Sequence, residues 1–81
     1  MKHPDISRIE QYVIDAVREK RKEKGVSQRE LAYLLDVAVS FIGEVESRRT
    51  RAKYNLNHLN KIAEILNCSP KDFLPDKFIK E

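Results

Sequence analysis

The chain has 81 residues, of which 41% are hydrophobic and 36% charged, with a formal net charge of +3. That is enough apolar material to close one small core and no more. The single Cys68 excludes an internal disulfide and no uncharged stretch exceeds seven residues, so neither a secretory leader nor a membrane span has a candidate segment and a reducing cytoplasm is the expected setting.

Helical periodicity predicts five helices and offers no segment to a strand. The first covers about 7–24, with Ser7 and Glu10 in capping-box register, Gly25 as its stop, and Ile6, Ile9, Val13, Ala16 and Val17 as its apolar stripe. The second and third cover 28–35 and 39–47, and Ser27 and Glu30 repeat the capping box before the second. Leu31, Ala32, Leu35, Val37, Ile42 and Val45 stand at the offsets that let two short helices pack corner to corner, which is a helix-turn-helix. On the third helix Val39, Ser40, Gly43, Glu44 and Ser47 share the face opposite Ile42 and Val45. In a DNA-binding helix-turn-helix that face enters the major groove, and the alternative is a pair of packed helices in an unrelated bundle.

The fourth helix covers about 56–66, capped by Asn55, with Leu56, Leu59, Ile62, Ala63 and Leu66 at helical spacing. The fifth is a short turn after Ser69, with Pro70 at its first position and Asp72 near the positive end of its dipole, directing Phe73 and Leu74 into the core. The expected architecture is an all-α, compact five-helix bundle over 7–75, with tails at 1–6 and 76–81. Charge is unevenly spread: residues 1–24 carry seven basic and five acidic side chains, 25–47 one and four, 48–53 four and none, and 54–81 four and four. The positive charge is therefore concentrated in RRTRAK, as Arg48, Arg49, Arg51 and Lys53, directly after the third helix.

Residues 18–74 run through a basic helix, a Gly turn, SQRELA, a helix ending in VES, the loop RRTRAK, then LNKIAEIL and SPKDFL. They resemble the phage repressor and Cro type of helix-turn-helix domain, the XRE family. The resemblance implies a lambda repressor-like five-helix domain that binds operator DNA as a dimer. It further implies that Arg21 and Glu46 pair inside the domain, that Gln28 touches a phosphate and braces the recognition helix with Arg29 beside it, and that Arg48, Arg49, Arg51 and Lys53 meet the sugar-phosphate backbone. Short relatives dimerise through the last helix, for which Phe73, Phe78 and Ile79 offer an apolar edge; the alternative is that Phe78 and Ile79 fold back onto their own core. Three positions depart from the family pattern: Asp36 stands where a turn Gly is usual, Ala38 where a Ser or Thr cap is common, and Arg48 where a Gly commonly ends the recognition helix. Asp accepts the left-handed turn at modest cost, whereas Ala38 leaves the third helix uncapped at about 1 kcal/mol.

The candidate base readers are Val39, Ser40, Phe41, Gly43 and Glu44. Val39 suits a thymine methyl, Ser40 several base edges, and Glu44 a cytosine N4 amine; none of them names an operator. His3 and His58, the first in an expected disordered tail and the second on the fourth helix, have no partners at metal-ligand spacing, and no nucleophile triad or Gly-rich phosphate loop is present. No enzyme activity, metal, cofactor or small-molecule ligand is expected. Cys68 reads as a buried, inert thiol. The expected partners are double-stranded DNA carrying an inverted repeat and a second copy of the chain. With only PDKFIKE after the fifth helix, the expectation is a constitutive binder, regulated by its own concentration or by a partner. The rival is a protein-interaction module of the same fold, such as an antitoxin-like partner, which the acidic reading face favours and RRTRAK opposes.

Overall fold

The computed structural model describes residues 2–81, which form α1 (Arg8–Glu23), α2 (Gln28–Leu35), α3 (Val39–Ser47), α4 (Leu56–Leu66) and a 3-10 turn at Pro70–Phe73. Among the described residues no strand is present. The expected fifth helix is this single turn instead. Pro70 opens it, Ser69 caps it, and the backbone is extended again at Leu74, so it ends before an α-helical ladder can begin.

Local capping explains where the helices start. In α1 the Ser7 hydroxyl accepts from Glu10 N at 3.2 Å while the Glu10 carboxylate accepts from Ser7 N at 2.9 Å. Ser27 and Glu30 do the same for α2, at 3.0 and 3.2 Å. For α4 the box is built from Asn55 and His58, whose Nδ1 accepts from Asn55 N at 3.0 Å. Only α3 starts on a residue, Ala38, that makes no side-chain cap. At the other ends, Gly25 takes a positive φ of 70° after α1, while α2, α3 and α4 close on non-glycine residues in the left-handed region: Asp36 (61°), Arg48 (65°) and Asn67 (55°). Asp and Asn visit that region readily; Arg does so at a steric cost.

The core gathers Val13, Ile14 and Val17 from α1, Leu31, Ala32 and Leu35 from α2, Ile42 and Val45 from α3, and Leu59, Ile62, Ala63 and Leu66 from α4. Ile6, Tyr54 and Phe73 join them from the connecting segments. Ala32 is fully buried in the α2–α3 pair, where its single methyl lets the helices approach. Two expected stripe residues face outward. Ile9 is exposed because Ile6, in the turn before α1, fills that end of the core, and Leu56, in the first turn of α4, overhangs the packed layer and is 80% exposed. Ile14, which the stripe left out, is buried in the core. The segment before α1 turns, with Ile6 N donating to His3 O at 3.0 Å and Ile6 in the core; Met1 lies outside the described residues. No helix among the described residues is long and apolar enough to cross a membrane.

Candidate nucleic-acid interface

The orientation of α3 is set by a buried polar hub at its C-terminal end. Arg21, three turns into α1, is brought over Glu46 and donates from Nε and Nη2 to the two carboxylate oxygens, each at 2.9 Å. Its Nη1 donates to Val26 O at 2.8 Å, so the guanidinium also holds the α1–α2 turn. Gln28 adds a third donor to Glu46 at 2.9 Å, and Arg18 Nε stands 3.8 Å away. The Glu46 side chain is only 4% exposed, and a buried carboxylate with this many directed donors ties three helices together. Tyr54 packs beside the hub; burial, and then the charge of Glu46, push its hydroxyl pKa up, and that hydroxyl has no hydrogen-bond partner among the described residues.

Above this hub the N-terminal half of α3 faces outward. Val39, Ser40 and Glu44 are exposed, and among the described residues none of their side chains makes a hydrogen bond or ion pair. Phe41 is different. Its ring packs against Tyr54 (6.1 Å between centroids) and His58 (5.3 Å), so this candidate base reader is committed largely to joining α3 to α4, because a large ring there gains more from that aromatic cluster than from water. Gly43 lies under the Gln28 side chain, and a Cβ added to it would sit 3.7 Å from the amide oxygen, an ordinary contact. Gln28 thus spends its amide NH2 on Glu46 and lays its oxygen along α3, while neighbouring Arg29 is exposed at the start of α2.

The loop after α3 is ordered by its own side chains. Ser47 and Thr50 hydroxyls donate to Glu44 O at 2.9 and 3.1 Å, and Arg49 N and Ala52 N donate back to those hydroxyls. Its four cations divide into two pairs. Arg48 Nη2 reaches both Asp15 oxygens at 2.9 Å and Lys53 Nζ reaches Glu10 at 2.6 Å, whereas Arg49 and Arg51 have no ion pair among the described residues. The Lys53 hydrogen bond, and then that from Ser7 N, hold Glu10 below the ordinary carboxylate range. Asp15, Glu10 and Arg18 were not legible as site residues: each is one of many charges on α1, and only the fold selects its partner.

The proposed dimer edge changes composition. Phe73 is 0% exposed and belongs to the core, where its ring closes the 3-10 turn onto the bundle, so it is not available as a surface contact. Phe78 is 88% exposed and Ile79 half-buried. Cys68 is half-buried and burial pushes its thiol pKa up, which keeps the thiolate scarce. The sequence model of the family described as Helix-turn-helix matches residues 17–73, from the last turns of α1 through the 3-10 turn. No curated protein and no solved structure gives a significant match to the chain.

Proposed function

The chain belongs to the helix-turn-helix family, of the XRE or Cro type, whose members are DNA-binding regulators, and from that premise we propose that it acts as a repressor-like transcription regulator, a homodimer inserting α3 into the major groove at an inverted repeat. The observation that carries the reading is the pairing of an α3 face, Val39, Ser40 and Glu44, with the cations Arg49 and Arg51 directly after it, none of which has a side-chain partner among the described residues. Bases are met by the first group and phosphates by the second, with Arg29 at the start of α2 on the flanking backbone, while Gln28, expected on a phosphate, has its side-chain amide held by Glu46 and braces α3. Binding should therefore be steeply salt-dependent. Replacing Arg49 or Arg51 with Ala should weaken binding to every duplex alike and shallow the log–log salt slope by about one unit per lost contact. An unchanged slope in both variants would remove the phosphate assignment.

A recognition face with so few strong donors needs a second copy. Two such faces, about 34 Å apart across a two-fold axis, multiply their modest preferences over half-sites about 10 bp apart. Phe78 and Ile79 are the dimer candidates: Phe78→Ser should lower both self-association and operator affinity, and sedimentation of the wild type as a monomer on one half-site would refute the arrangement. Selection from a random DNA pool tests the reading whole, since Glu44→Gln should change the preferred base at symmetric positions. The carboxylate of Glu44 on the reading face supports a second reading, a protein-interaction module of the same fold; absence of salt-dependent duplex binding would favour it.

A further inference from the structure

Building on the DNA-binding reading, we infer that Asp15 and Glu10 compete with DNA phosphate for Arg48 and Lys53, so that α1 masks half of the positive charge in loop 48–53 and limits how tightly the domain holds DNA of any sequence. Both carboxylates are pre-oriented for this. Asp15 Oδ1 accepts from the buried Gln11 amide at 2.9 Å while both its oxygens take Arg48, and Glu10 is fixed by the α1 capping box through one oxygen while the other takes Lys53. Mobile surface charges meeting by chance lack such a second anchor. Yet both pairs are partly solvent-exposed, with the Arg48 and Asp15 side chains 42% and 44% accessible, which is the regime where an ion pair is weakly held and a phosphate can displace it.

The consequence follows from counterion release. A free cation that meets a phosphate liberates a condensed counterion, and this release drives sequence-independent binding. A cation that must first leave a carboxylate returns part of that gain, because the vacated carboxylate gathers ions of its own. Arg49 and Arg51 carry no such cost; Arg48 and Lys53 do. For a domain whose reading helix offers only Val39, Ser40 and Glu44, weaker holding of bulk DNA is what allows small base preferences to register. Asp15 and Glu10 are thereby specificity-determining residues that need touch no nucleotide.

The test uses the full chain and a mixed-sequence duplex, with affinity measured by fluorescence anisotropy from 50 to 200 mM salt. Asp15→Asn keeps the acceptor for Gln11, and Glu10→Gln keeps the capping box, so each removes charge with little change of local structure. Each should steepen the salt slope by about one unit and tighten low-salt binding. In an Arg48→Gln background the gain from Asp15→Asn should vanish, as should that from Glu10→Gln in a Lys53→Gln background. Glu64→Gln, which makes the same charge change beside Lys61 on α4, should give a smaller effect than either. Gains that persist without Arg48 or Lys53, or an equal gain from Glu64→Gln, would reduce the effect to total charge and overturn the masking. Wild-type binding with a clear salt slope that neither α1 variant alters would overturn the masking alone, whereas no salt-dependent binding by the wild type would overturn the DNA-binding reading and the masking with it. A melting curve for each variant verifies folding, and the two carboxylates give independent arms if one variant is unstable.

Discussion

α2 and α3 are neighbours of almost equal length, eight and nine residues, yet they are held in opposite ways. α2 carries its own instructions: a complete Ser27–Glu30 capping box at its start and Asp36, a residue suited to the left-handed turn, at its end. α3 has no side-chain cap at Ala38 and closes on Arg48, a residue ill-suited to its positive φ. What α3 has instead is distant partners: Arg21 and Gln28 on Glu46, Asp15 on Arg48, and the apolar contacts of Ile42 and Val45. α2 is specified locally and α3 by the fold around it.

The largest break in this contrast should come from the hub. Glu46→Ala leaves the Arg21 guanidinium, 10% exposed, with Val26 O as its one hydrogen-bond partner among the described residues, and should destabilise the domain by about 3–5 kcal/mol in urea unfolding. The Arg21→Ala/Glu46→Ala double variant should lose less than the sum of the single losses; strict additivity would show that the pair is not coupled. Next come the caps. Ser27→Ala should cost about 1 kcal/mol, while Ala38→Ser should add a comparable amount by giving α3 the cap it lacks. If Ala38→Ser is neutral, tertiary contacts already satisfy the start of α3 and the two helices differ even more in what holds them. The smallest effect is electrostatic. Because Lys53 and Ser7 hold the Glu10 pKa below its ordinary value of 4.5, its stabilising contribution is fully present above that value and is lost as pH falls through the lower folded one. The acid limb of a stability-against-pH curve should flatten in Glu10→Gln, and an unchanged limb would show that Glu10 contributes nothing to it.

The same division explains what could be read from the sequence. Ser7–Glu10, Ser27–Glu30, Asn55 and Gly25 mark helix ends because capping is a contact between residues three apart, and the bounds they give agree with the structure to within a residue. Periodicity placed Leu31, Ala32, Leu35, Ile42 and Val45 inside, but it misplaced Ile9 and Leu56, since in the first turn of a helix the stripe continues past the edge of the core. The fifth helix shortens to a 3-10 turn because Pro70 to Phe73 supply a cap and a core anchor but no second turn. The resemblance pointed to Arg21 and Glu46. Nothing in the sequence pointed to the Arg48–Asp15 contact, 33 residues apart between exposed charges with many equivalent rivals. Phe41 was legible as a residue of α3 but not as a member of the cluster with Tyr54 and His58, which exists only once α4 is in place.

That aromatic cluster gives the molecule an optical signature. The chain has no tryptophan and three tyrosines, of which Tyr12 and Tyr33 are exposed and Tyr54 alone is buried. In an alkaline titration followed by ultraviolet absorbance, the Tyr54 phenol should ionise only well above the usual tyrosine range or on unfolding, because burial raises its pKa. Tyr54 lies edge-on to Phe41, and so to α3 itself. Its delayed ionisation therefore reports, without any added label, whether α3 is seated on the bundle: any change that lifts α3 away should bring the Tyr54 titration down towards the usual tyrosine range.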